Sequence, residues 1–72
     1  MQDGSVRLRT AVYDLLVRAK GHKSVVSQAR LHGLSRSSMF RLRGGGEPSA
    51  EVCLRMAADL VVAVEVIWER LP

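Results

Sequence analysis

Seventy-two residues, 47% of them apolar, can close one modest core but cannot hold a catalytic domain beside a partner domain; one domain over 1–72, and no enzyme, is expected. Eleven Lys and Arg against seven Asp and Glu give a net charge of +4 and an isoelectric point near 10.2, which points to an anionic partner. A lone cysteine, Cys53, excludes an internal disulfide framework, and the longest uncharged apolar run, Leu60–Val64, is far shorter than the roughly 18 residues of a membrane helix, so the chain reads as soluble and cytoplasmic, with no membrane partner.

The first helix is expected from Val6 to Lys20. Leu8, Ala11, Val12, Leu15, Leu16 and Ala19 recur with the period of an amphipathic helix, Ser5 stands where a cap would, and Gly21 ends the run. A second helix, Val25 to His32, is capped by Ser24 and closed by Gly33, with Val25, Ala29 and His32 on one side. Ser35 caps a third, Arg36 to Arg43, in which Met39 and Leu42 share one side while Arg36, Ser37, Phe40 and Arg41 occupy much of the rest. Gly44, Gly45 and Gly46 stop it, because three glycines in succession lose too much backbone entropy inside a helix. Pro48 and Ser49 open a fourth helix from Ala50, where Glu51 suits the positive end of the dipole.

Charge divides the chain at the glycines. Residues 1–46 carry nine basic and two acidic side chains, a balance of +7, and residues 47–72 carry two basic and five acidic ones, a balance of −3. Such asymmetry places a polyanion at one face of the molecule and something else at the other.

Two short helices joined through a glycine, the second bearing outward Arg and Ser, match a helix-turn-helix. The run GLSRSSMFRLRGGGEPSAEVCLRMAADL, with Ala29 four residues before Gly33, resembles the Cro and repressor-type (XRE) helix-turn-helix family over roughly residues 8–68. Leu34 and Ser35 match the turn, Met39 and Leu42 the buried pair, Gly45 the loop glycine, Pro48-Ser49 the next helix start, and Ala57 and Leu60 the fourth helix. The resemblance implies an all-α, lambda repressor-like bundle of four to five helices. It also implies sequence-specific binding of double-stranded DNA by a homodimeric transcriptional regulator of repressor or Cro type, without cofactor, metal or small-molecule substrate. The chain departs from the family pattern at Val25, where Gln is usual, at Gln28 and His32, where apolar residues are usual, and at Arg43, which replaces an acidic residue.

In that frame Arg36, Ser37, Phe40 and Arg41 are the candidate base readers, since Arg grips guanine O6 and N7 with two hydrogen bonds. Phe40 either touches a thymine methyl or closes the core against the second helix. Lys23, Ser24, Ser27, Ser38, Arg43 and the backbone amides of Gly45 and Gly46 are candidates for phosphate contact, which positions without specifying. His22, His32 and Cys53 lack metal-ligand spacing.

Cys53, Ala57, Leu60, Val64, Ile67 and Leu71 repeat as a heptad seam. Three conformations fit residues 60–72: the family's break into two helices, one long helix, or a strand through Leu60–Trp68. In each, Val64, Ile67, Trp68 and Leu71 are expected to form the dimer interface. The competing function is a protein-interaction or antitoxin-like module that uses the same apolar surface.

Overall fold

The computed structural model describes residues 5–72, so residues 1–4 of the expected domain lie outside the described ones. Strand β1 (Val6–Leu8) leads into helices α1 (Thr10–Ala19), α2 (Val25–His32), α3 (Arg36–Arg43), α4 (Ala50–Leu60) and α5 (Val64–Ile67), and strand β2 (Trp68–Arg70) closes the chain. The fold is mostly helical, but a two-stranded antiparallel sheet corrects the all-α expectation.

The first correction falls at the start of the expected first helix. Val6–Leu8 is extended, because Val6 and Leu8 alternate with exposed Arg7 at the period of a strand and meet Arg70, Glu69 and Trp68 in register. Ser5 caps nothing; its carbonyl accepts the Leu71 amide at 2.8 Å. Arg9 donates its amide to the Ile67 carbonyl at 2.7 Å, so the chain passes from ladder to helix without a side-chain cap. The buried face of α1 is consequently centred on Tyr13 and Val17, both 0% exposed, and Leu15, expected in the stripe, is 73% exposed.

Local chemistry fixes the next three helices as expected. Ser24, Ser35 and Ser49 each accept the amide three residues on, from Ser27, Ser38 and Val52, which satisfies one orphan donor at each helix start. Gly33 ends α2 with φ +68°, a left-handed conformation that glycine adopts without steric cost.

The C-terminal segment breaks at Val61, which excludes one long helix. Val61 takes the left-handed conformation, φ 58°, and the Val62 amide reaches back to the Ala57 carbonyl at 3.0 Å. The strand lies at Trp68–Arg70 instead of Leu60–Trp68, and it pairs with β1 of the same chain. Ile67 and Trp68, 0% and 3% exposed, lie in the chain's own core with Leu8, Tyr13, Val17, Met39, Leu42, Met56 and Leu60. The Trp68 indole N–H donates to the Cys53 carbonyl on α4 at 3.2 Å. Of the four residues expected at a dimer interface, only Val64 and Leu71 keep partly exposed surface. The heptad seam is real as a pattern; it seals α4 and α5 onto this chain's core.

Candidate functional site

The link Gly33–Ser35 between α2 and α3 sets α3 against the core through one side only. Met39 and Leu42, three residues apart, are 0% and 1% exposed. Rotation by one residue from each brings Phe40 and Arg43 onto different ground. Phe40 is 57% exposed, so its ring does not close the core against α2. Arg36, Ser37 and Arg41 are exposed beside it.

Three arginines of α3 have three different fates. Arg36 makes no ion pair among the described residues. Arg41 donates from Nη1 to the Glu47 carbonyl at 2.9 Å and so ties the helix to the following loop. Gly46 packs directly on that side chain: a Cβ there would lie 2.7 Å from Arg41 Cγ and 2.8 Å from its carbonyl oxygen. Arg43 turns inward, with Nη1 and Nη2 on the Asp14 carboxylate of α1 at 2.6 and 3.2 Å and a further bond from Nη1 to Gln28 Oε1 at 3.1 Å. The expected phosphate contact at Arg43 is therefore replaced by an internal brace. The guanidinium holds the Asp14 carboxyl below its ordinary range, and the carboxylate in turn pushes the Arg43 pKa upward.

The other expected phosphate contacts divide likewise. The amides of Gly45 and Gly46 already donate to the Leu42 and Arg41 carbonyls, at 3.2 and 2.8 Å, so they are spent on closing the helix. Ser24 and Ser38 are bound up with the caps: Ser24 Oγ accepts the Ser27 amide at 3.1 Å, and Ser38 Oγ accepts the Ser35 hydroxyl at 2.9 Å. Ser27 Oγ sits 2.6 Å from His22 Nδ1. Lys23 is exposed in the turn before α2.

Two polar networks behind this face were not anticipated. Gln28, 3% exposed, donates to the His22 carbonyl at 3.3 Å and accepts from Arg43. His32, 1% exposed, bridges three helices. Its Nδ1 lies 2.8 Å from Asp59 Oδ2 on α4; the carboxylate can only accept, so Nδ1 carries the proton, and Nε2 accepts the Tyr13 hydroxyl of α1 at 2.8 Å. Burial lowers the His32 pKa, and the Asp59 hydrogen bond only partly opposes it. Burial likewise raises Tyr13 well above the ordinary phenol range. The signal for both networks was a polar residue, Gln28 or His32, on a helix face that had to be buried, because a buried polar group demands a partner. Neither network leaves an open face for a substrate; they lock α1, α2, α3 and α4 together.

From Leu15 to Gly46 the chain has no acidic residue and seven Lys and Arg, of which Arg43 alone is neutralised by a carboxylate among the described residues. The surface around α2 and α3 is thus strongly cationic, with an arginine, a serine and an aromatic ring at its centre. Comparison with protein-family models, with curated proteins and with solved structures gives no match for this chain. Among the described residues no helix is long and apolar enough to cross a membrane.

Proposed function

We propose that the chain binds double-stranded DNA, with α2 and α3 acting as a helix-turn-helix and the outer face of α3 lying in the major groove. The observation that carries this reading is the exposed set Arg36, Ser37 and Phe40 on a short helix within a stretch of 32 residues that lacks any acid. An α-helix fits the major groove, and arginine and serine are side chains that reach base edges there. Arg41, tied to Glu47, supports the reading head and stays near enough to contribute once released. Lys23 and the exposed Arg18, Lys20 and Arg30 supply phosphate neutralisation. A sequence-specific regulator, working as two copies on a two-fold symmetric site with half-sites about 34 Å apart, is the role this binding serves.

A second reading, a protein-interaction or antitoxin-like module, draws support from Leu54 and Val61, 62% and 82% exposed on α4 and at its end. Fluorescence anisotropy with random-sequence duplexes separates the two. Engagement of about four phosphates predicts roughly a hundredfold loss of affinity between 50 and 200 mM salt. A chain that leaves duplexes unbound at the lower salt is not a DNA-binding protein, and the interaction module takes its place.

A further inference from the structure

We propose that the outer face of α3 reads a guanine together with a neighbouring 5-methylated pyrimidine, so that 5-methylcytosine can stand in for thymine and cytosine methylation tunes binding. This rests on the DNA-binding reading above.

The core does not use the Phe40 ring, because Met39 and Leu42 already close α3 onto it at 0% and 1% exposure. A ring that is 57% exposed offers apolar surface to whatever α3 meets. Base edges in the major groove present one apolar group, the 5-methyl of thymine; 5-methylcytosine has the same methyl, and cytosine and deoxyuridine lack it. Arg36 stands four residues before Phe40, so both project from one side of the helix with Cβ atoms roughly 5–6 Å apart, which spans one or two base steps of about 3.4 Å. The Arg36 guanidinium is without an ion pair among the described residues and is available to guanine O6 and N7, whereas that of Arg41 is held at the Glu47 carbonyl. Ser37, between them in sequence and exposed, adds a hydroxyl that suits either base. Guanine through Arg36 and methyl through Phe40 therefore form one reading unit.

The test starts from the duplex that the full chain selects out of a random pool. Each thymine is replaced in turn by deoxyuridine. Loss of the methyl at one position in each half-site should weaken binding about fourfold, the weight of one buried methyl group, and Phe40→Ala should be indifferent to the same change. Replacing that thymine–adenine pair by cytosine–guanine should weaken binding, and 5-methylcytosine at that position should recover about the same fourfold. Tolerance of deoxyuridine at every position in a duplex still bound in a salt-dependent way overturns the methyl reading and leaves the DNA-binding reading intact. Methyl dependence that persists in Phe40→Ala assigns the contact to another side chain and overturns the proposal too. Failure to select any duplex removes both readings. The deoxyuridine series on the unaltered chain needs no variant to fold.

Discussion

The interior and the outer face of α3 use the same residue types in opposite ways. Inside, the aromatic Trp68 is 3% exposed with its N–H bonded to Cys53, and the basic Arg43 is clamped on Asp14 and Gln28. Outside, the aromatic Phe40 is 57% exposed and the basic Arg36 is without an ion pair among the described residues. A side chain that the fold needs finds its partner within the chain. One whose chemistry goes unused is available to a second molecule, and the contrast between paired and unpaired members of a residue type separates the two.

The widest gap is expected between the aromatics. Trp68→Ala should destabilise the chain by about 3–5 kcal/mol, enough to unfold a domain of this size at ordinary temperature, whereas Phe40→Ala should stay within about 0.5 kcal/mol of the parent in a urea titration followed by circular dichroism. A Trp68→Ala chain that stays folded and merely changes its state of association would return Trp68 to an interface and erase the contrast.

Legibility in the sequence followed the range of the interaction that decides each element. The starts of α2, α3 and α4 were readable because a serine three residues before the amide it caps is a local fact, and Met39 and Leu42 were readable because their spacing is. Val6–Leu8 reads as helix and Trp68–Arg70 stays open in the sequence because each is a strand only by virtue of the other, some sixty residues away in the chain. A three-residue extended segment next to a helical period looks like its first turn. The heptad seam is legible as a stripe but its cover is not, for a related reason: an apolar stripe states that it will be covered, and only the fold shows that Ile67 and Trp68 are covered by this chain's own core. Among the site residues, the exposure of Arg36, Ser37 and Arg41 was legible from their polarity, whereas that of Phe40 was not, since an aromatic ring suits a core as well as a surface. The inward turn of Arg43 was not, since it depends on Asp14 and Gln28 arriving from two other helices.

The two arginines give the next contrast, smaller because only part of the cost is burial. Arg43→Ala leaves the Asp14 carboxylate and Gln28 Oε1 without their donor in a half-buried position and should lower stability by about 1–3 kcal/mol. Arg36→Ala should leave the urea midpoint unchanged and reduce affinity for the preferred duplex about tenfold to a hundredfold. If both variants shift the midpoint alike, or both weaken the duplex alike, the division of α3 into a braced side and an offered side fails.

The smallest expected effect concerns pH, and it tests whether burial holds His32 neutral against the pull of Asp59. The groups facing its ring are Tyr13 from α1 and Asp59 from α4; Arg55 bonds its backbone carbonyl at 3.4 Å, and His22 before α2 adds a weak repulsion. Desolvation by burial lowers the folded pKa below the ordinary 6.5, so as pH falls through that ordinary value the unfolded chain takes up the proton first. The unfolded state then binds more protons than the folded one, and stability declines with falling pH until the folded pKa is passed, by at most about 1.4 kcal/mol per pH unit for one proton. Asp14, held low by Arg43, acts in the same direction only further down, as pH falls below the ordinary carboxylate range. The double variant Tyr13→Phe with His32→Leu removes the titrating ring together with the hydroxyl that would lose its acceptor, so no buried polar group is left unpaired between them. Urea midpoints at pH 7.5, 6.5 and 5.5 should fall for the parent and fall less for the double variant. Parallel curves would mean that His32 binds its proton equally in both states, with the Asp59 hydrogen bond balancing burial, and a parent that falls less than the double variant would mean that Asp59 outweighs burial in setting its charge.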